Sequence, residues 1–400
     1  MPIPISELDV PEIDTWSLDR DGILAAIAEI RAEHWIARTP LGHILTRHED
    51  SIAILRDRRF HSAISLIPQM QGIDGSVFAE ERQPSILAME GDAHARLRRL
   101  VAPAFTPAAA DRLRPFMRSV VEELVDAVAD AGRCEFVSAI GEPYPIPIIC
   151  ELLGAPRSDW RLFSDWATDI FRIFNGALAE DLPAIQRAGA ELQAYVREMI
   201  ERRRDTPADD LLSTMIALEE AGDRLSTDEL VMLAEAVLMA GTDTTRNQLA
   251  CSIALFAANP TQWARLVADP TLAPRAVEES MRYLGAVRGT VRFASEPIEY
   301  RDVLFPTGSI VNVSLAGANR DPSGFDDPES LDIARERTTP QMTFGSGIHY
   351  CLGAALARAE LQEALTILAE RWPNLELDGD VEWKPDSFGI WGPAVLPIRW

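Results

Sequence analysis

Between Ser226 and Pro260 the chain carries a sustained helical pattern whose apolar residues fall on every side. Ser226-Thr-Asp-Glu229 has the form of a capping box, in which hydroxyl and carboxylate each satisfy a backbone amide that the first turn leaves orphaned. From there to Asn259-Pro260 a helix would run roughly thirty residues, or about 45 Å. A surface helix keeps a polar face, so one that is apolar all round has to cross the middle of a large core. A membrane span is the competing way to bury it. Glu235, Asp243, Arg246 and Asn247 interrupt the run, however, and charge near mid-bilayer is costly. No membrane span is expected, and the fold has to supply a helical body thick enough to surround this segment.

The 400 residues, 47% hydrophobic and 25% charged, can build such a body, which excludes wholesale disorder. Acidic residues outnumber basic ones 62 to 38, a formal charge of -24, which disfavours duplex nucleic acid or an anionic membrane surface as main partner. Among the basic residues Lys384 is the sole lysine; the rest are arginines, suited to planar, bidentate anion contacts. Cys134, Cys150, Cys251 and Cys351 lie far apart without a CxxC pair, so neither a disulfide framework nor a structural zinc site is indicated. Met1 to Asp14 carries prolines and acids where a secretory signal would carry a basic stretch and an apolar run. A reducing, cytoplasmic setting is the expectation.

Around the long helix the pattern is mainly helical from Asp92 to Ala258, with Gly222 among its breaks, and helical again over Pro274 to Tyr283 and Leu352 to Arg371. Asp21 to Arg31 forms a short helical pattern. Trp35 to Arg38 and His43 to Thr46 suggest a small N-terminal sheet, and Val291 to Phe293, Ile298 to Tyr300 and Ile310 to Val313 a second one. Ala394 to Arg399 reads as a terminal strand. Phe60 to Ala88, with Gly72 and Gly75, lacks periodicity and is long enough to suggest a lid or binding loop, at even odds with a plain surface loop.

The residues richest in chemistry are Phe344-Gly-Ser-Gly-Ile-His-Tyr-Cys-Leu-Gly-Ala, just before the last helical run. A cysteine at a helix start has its thiolate favoured by backbone N–H groups and the helix dipole, and neighbouring glycines let a flat ligand approach closely. An isolated cysteine is more often a small buried hydrophobe. The spacing of the whole stretch resembles the signature of the cytochrome P-450 family, the haem-thiolate monooxygenases, met here by Phe344, Gly345, Gly347, His349, Cys351 and Gly353. The resemblance makes Cys351 the proximal ligand of haem b iron (iron protoporphyrin IX), a thiolate that favours O–O cleavage, and places His349 at a haem propionate.

Two further motifs stand in the family's order. Glu279-Ser-Met-Arg282 puts opposite charges at i and i+3, a pair that by itself is common on exposed helices. Its place about seventy residues before Cys351 matches the family's ExxR, which implies a structural tie completed by Asn319-Arg320 or by Arg335 onward. Ala240-Gly-Thr-Asp-Thr-Thr245 collects poor helix formers in mid-helix and suggests a distortion in which a hydroxyl or a water enters the hydrogen-bond ladder. It matches the family's oxygen-activation motif, so by resemblance Thr244 steadies dioxygen and its water while Asp243 relays protons. The plainer reading has the threonines bonded back to carbonyls and Asp243 solvated.

By the same resemblance His94, Arg98 and Arg292 join His349 around the propionates. Arg96, Arg98, Arg99, Arg112, Arg114 and Arg118 face one acid, Asp111, within their segment, which suggests a basic docking patch for an acidic redox protein as well as a solvated arginine face. Leu238, Ala240, Val287, Arg288, Val291 and Val395 are the substrate-pocket candidates, with Arg288 a possible contact for a polar substrate end or a surface ion pair.

The resemblance covers nearly the whole chain. It implies one mainly α haem domain over residues 1–400 with small β-sheets, the haem lying between the long helix and the cysteine loop. The implied reaction inserts one oxygen atom of O2 into a hydrophobic small molecule by hydroxylation or epoxidation. No dinucleotide fingerprint is present, so electrons would come from separate proteins, which the resemblance implies are a ferredoxin and a ferredoxin reductase. A peroxide-driven peroxygenase and a non-catalytic haem-containing lipid binder or sensor are the alternatives.

Overall fold

The computed structural model describes residues 2–74, 84–221, 225–336, 338–385 and 389–400. Its centre is the helix Thr227–Ala257, opened by a complete capping box: the Glu229 amide donates to Ser226 Oγ at 3.2 Å and the Ser226 amide to Glu229 Oε2 at 2.9 Å. The helices Pro145–Leu153, Trp160–Phe171, Leu178–Asp205, Ala273–Tyr283 and Ala354–Arg371 all lie against it. They bury its flanks on every side, as the all-round apolar pattern requires.

Strand pairing departs from the sequence expectation. Ile36–Thr39 and Gly42–Leu45 do form a hairpin, but the hairpin joins Ile310–Ser314 in parallel, followed by Gly289–Ala294 and Phe60–Ser62. The N-terminal strands and two of the later ones therefore share one five-stranded sheet. Ile298–Tyr300 pairs with Val303–Phe305 and Ile3–Pro4 in a separate three-stranded sheet. The expected terminal strand divides at Leu396 into Pro393–Val395, paired with Glu382–Trp383, and Pro397–Arg399, paired with Glu376–Leu377 and Arg133–Glu135.

Phe60 to Ala88 is not wholly irregular. It begins as the sheet's edge strand and continues through a 3-10 turn, Ala63–Leu66, into a short helix, Ile67–Met70. The remainder of the expected loop, including Gly75, falls partly in residues 75–83, outside the described residues, as does the expected helix break at Gly222. The last helix begins at Ala354, not at Leu352, so Cys351 precedes its first turn. Among the described residues no helix is long and apolar enough to cross a membrane.

Candidate functional site

The loop that presents Cys351 is shaped by glycine. Gly345 and Gly347 have φ of +69° and +72°, a region costly for residues with a Cβ. At Gly347 a Cβ would lie 1.9 Å from the Leu55 carbonyl oxygen, so the loop can seat against the helix His48–Arg56 only with glycine there. The Cys351 amide closes the loop on the Phe344 carbonyl at 3.0 Å. Arg358, one turn into the following helix, stacks 4.5 Å over the Phe344 ring, donates to Tyr350 Oη at 3.2 Å and is itself anchored by Glu278.

Burial pushes the Cys351 thiol up; the Gly353 amide and the Arg98 and Arg358 guanidiniums pull the other way. At Gly345 and Gly353 an added Cβ would meet nothing within 4 Å, which leaves open space beside the cysteine.

The long helix also opens at its middle. Ala236, Ala240 and Thr244, spaced by four residues, stay accessible on one stripe although the turns before and after are buried. The helix is unbroken through the motif. Thr244 Oγ1 donates to the Ala240 carbonyl at 3.0 Å and Thr242 Oγ1 to that of Met239 at 2.9 Å, so the hydroxyls join the ladder without disrupting it. Gly241 has a different cause from the expected distortion: a Cβ there would sit 2.7 Å from Ile149 Cγ1, and glycine lets the two helices approach. Asp243 is not solvated. It is buried and paired with Arg246, accepts from Asn247 Nδ2 at 3.2 Å and lies 4.0 Å from Lys384 Nζ.

A third group brings His94, His349, Arg98 and Arg292 together with Glu90. His94 and His349 stand with ring centroids 4.6 Å apart, and Arg98 donates to the Tyr350 carbonyl. Arg292 is buried, yet its donors reach only Thr290 Oγ1 at 2.9 Å and the Val291 carbonyl at 3.0 Å, and no carboxylate pairs with it among the described residues. Burial lowers its pKa to about 10. Glu90, which the sequence reading missed, binds His349 Nε2 at 3.0 Å and the Ser62 amide at 2.6 Å. Burial opposes its charge, but His349 and that amide hold the carboxyl below its ordinary range. Its position four residues before His94, at the cap of the same helix, was the available signal. A thiol at a glycine loop, open space beside it and an unpaired buried guanidinium fit a planar metal-bearing group with carboxylate arms.

Glu279 and Arg282 form a fully buried two-point pair, with 2.8 and 2.9 Å contacts. Arg282 also reaches the carbonyls of Asn319, Pro328 and Ser330, and Arg335 Nε donates to Glu279 Oε1 at 3.2 Å. Of the two expected completing segments, Arg335 supplies the side chain and Asn319 a carbonyl. Arg320 is engaged instead by Glu329 and the Tyr283 ring.

The pocket candidates separate. Ala240 is accessible, and Val287, Val291 and Val395 are half-buried. Leu238 is a correction: it is 0% exposed within the main core, because two residues along a helix turn it about 200° away from Ala240. Arg288 stacks 4.8 Å over Trp391, which Arg20 also covers at 4.4 Å, so its guanidinium is committed to that aromatic face. The arginine-rich segment is corrected too. Glu363, distant in sequence, pairs with both Arg114 and Arg118, and Glu229 pairs with Arg96, which leaves Arg99 and Arg112 exposed without an ion pair among the described residues.

A family model described as Cytochrome P450 matches residues 159–270 and 267–389. The chain is similar to the nocardicin C N-oxygenase of Nocardia uniformis subsp. tsuyamanensis, 36% identical over 93% of this chain and 94% of that protein. It is likewise similar to the mycinamicin IV hydroxylase/epoxidase of Micromonospora griseorubida, 36% identical over 91% of each. Among solved structures, that of CalO2 matches with a TM-score of 0.87 at 30% identity, covering 96% of this chain and 97% of the other.

Proposed function

The chain belongs to the cytochrome P450 family, and on that premise we propose how its residues divide the work of a haem-thiolate monooxygenase. It is an oxidoreductase with haem b as cofactor, and it uses O2 and electrons from redox partners to hydroxylate or epoxidise small molecules. In our reading residues 1–400 are one haem domain. Cys351 is the iron ligand on its glycine loop, with Phe344, Gly345 and Gly353 shaping the seat. His94, Arg98, Arg292 and His349 hold the propionates, and Glu279 with Arg282 ties the helix beneath to the chain before the loop. The observation that carries this reading is Arg292, a buried guanidinium with no ion-pair contact among the described residues and only the more distant Glu90 to support its charge, which a bound anion would offset.

When bound, the haem supplies dioxygen cleavage assisted by the electron-donating thiolate. Asp243, buried and paired with Arg246, passes protons inward, and Thr244 offers a hydroxyl on the accessible stripe where it orients water. Ala240, Val287, Val291 and Val395 give the site apolar surface, which favours a hydrophobic substrate. A separate ferredoxin and ferredoxin reductase deliver the electrons in the cytoplasm. Retention of the Asp243–Thr244 pair favours this over a peroxide-driven reaction.

The ferrous carbon monoxide complex tests the ligand. Wild type should give the red-shifted Soret band of thiolate-bound haem, and Cys351→His should keep haem while losing the shift; an unshifted wild-type band would overturn the assignment. Arg292→Ala should lower the haem-to-protein ratio after gel filtration, and wild-type retention would remove Arg292 from the propionate site. Turnover with reduced ferredoxin but not with hydrogen peroxide is the expected redox result, and the reverse would make the chain a peroxygenase.

A further inference from the structure

Beside the long helix, where Arg246, Asn247 and Ala250 meet the C-terminal segment, lies a half-open cleft of about 190 Å³. Val137, Ala250, Pro393 and Ala394 form its apolar walls, and its polar lining is Glu142, Thr168, Arg246, Asn247 and Lys384. Asp243 adjoins the cleft through three of its lining residues: it pairs with Arg246, accepts from Asn247 Nδ2 and lies 4.0 Å from Lys384 Nζ. Accessibility falls along the charged groups from Glu142 at 35% and Lys384 at 30% to Arg246 at 12% and Asp243 at 5%. In order of contact, Glu142, Arg246, Asp243 and Lys384 alternate in sign: Glu142 Oε1 is 3.5 Å from Arg246 Nη1, the same guanidinium pairs with Asp243, and the Ser164 and Thr168 hydroxyls lie 3.4 and 3.3 Å from it.

The C-terminal segment builds the outer wall with unusual closeness. Gly392 lies so near that a Cβ would stand 2.8 Å from Asn247 Oδ1. The Lys384 backbone is fixed at both ends, its amide donating to the Gly392 carbonyl at 3.0 Å and its carbonyl accepting from Trp391 Nε1 at 2.9 Å. In a chain that uses arginine everywhere else, the single lysine ends here, its ammonium close to Asp243. Lysine concentrates its charge in a compact, strongly hydrated head, whereas arginine's planar fork would tend to clamp the carboxylate in a two-point contact.

We propose that this cleft is the inlet through which water and protons reach Asp243, and that Lys384 is a positioning residue that keeps the Asp243 carboxylate turned toward it. The inference rests on Asp243 as the proton carrier. Each turnover consumes two protons in forming the water that carries away the second oxygen atom of O2. Each proton passes from cleft water to a carboxylate oxygen of Asp243 and leaves that carboxyl toward the Thr244 side, so the carboxylate returns to its charged form. Burial lowers the pKa of Lys384, Asp243 and Glu142 support its charge with a further contribution from Cys251, and Arg246 opposes it.

Because the chain has one lysine, reductive methylation with ¹³C-formaldehyde gives one side-chain NMR signal beside that of the amino terminus, identified by its loss in Lys384→Arg. In the diamagnetic ferrous carbon monoxide holoenzyme this signal should titrate below an ordinary lysine, and lower still in Asp243→Asn. A midpoint unmoved by Asp243→Asn, or an amine that fails to react, would overturn the cleft. In turnover, Lys384→Met and Glu142→Gln should each raise the solvent isotope effect and lower product per electron several-fold, with Lys384→Arg closer to wild type. Should both variants keep wild-type coupling and isotope effect while Asp243→Asn loses coupling, the inlet lies elsewhere and Asp243 keeps its part. Wild-type coupling in Asp243→Asn would instead remove the proton carrier, and the inlet with it.

Discussion

Glu279 Oε1 lies 2.8 Å from Arg282 Nη2 with neither side chain reaching solvent, and Arg335 approaches the same oxygen. Each partner's charge is met by the others and by backbone groups, among them the Asp332 amide, which donates to Glu279 Oε1 at 3.1 Å. Removing Arg282 leaves the buried Glu279 with Arg335 alone on one oxygen, and breaking a buried pair in this way costs up to about 3–5 kcal/mol. Arg282→Ala should therefore lower the denaturant midpoint by that equivalent, measured by circular dichroism. The double variant Glu279→Leu/Arg282→Leu should recover part of the loss, because the fully buried pair is gone and only Arg335, which keeps its backbone carbonyl partners, loses a carboxylate.

Thr244 Oγ1 is bonded only to the carbonyl one turn back, and helix carbonyls of this kind are already engaged by the ladder. Its removal should cost little stability. Thr244→Ala should unfold within about 1 kcal/mol of wild type, yet form several-fold less product per electron and release more peroxide. Thr244→Ser should restore coupling. Wild-type coupling in the alanine variant would refute the assigned part.

Glu360 is buried in the last helix with Oε2 unpartnered, and burial raises its pKa well above 4.5. The folded state thus holds this proton more tightly than the unfolded chain. Below the unfolded value both states are protonated and nothing is lost; as pH rises through it toward the folded value, unfolding gains by releasing the proton. Glu360→Gln should flatten this fall, raising the unfolding midpoint at about pH 8 and leaving it nearly unchanged at about pH 4. Equal pH slopes would show that Glu360 is charged in the fold.

Arg114 is held by Asp111, Glu363 and Gln362, whereas Arg112 and Arg99 point outward. A docking patch for an acidic electron donor should draw on the second pair. Arg112→Glu should slow electron transfer from the native partner severalfold at low salt, with the difference shrinking as salt screens it. Haem content should not change, and a salt-independent rate in wild type would dismiss the patch.

What the sequence made legible was local: the capping box at Ser226, the glycines that allow the Cys351 loop, and the i, i+3 spacing of Glu279 and Arg282. What it concealed depended on distant partners. Ile310–Ser314 pairs in parallel with Gly42–Leu45 across more than half the chain, and neither strand's pattern names the other. Glu363 neutralises an arginine cluster that looks unopposed within its own segment. Leu238 failed as a pocket residue because proximity in sequence was taken for a shared face, although helix geometry alone separates it from Ala240.

The missing side chain at Gly241 has a bearing on redesign. Ile149 packs where Gly241 has no side chain, beside the stripe that carries Ala240 and Thr244, so the helix Pro145–Leu153 braces the turn that bears them. Trimming Ile149 to valine or alanine would slacken that brace and let the turn retreat without altering Ala240 or Thr244. Libraries seeking room for larger molecules can therefore begin at position 149, and keep glycine at 241 as the fixed hinge of the design.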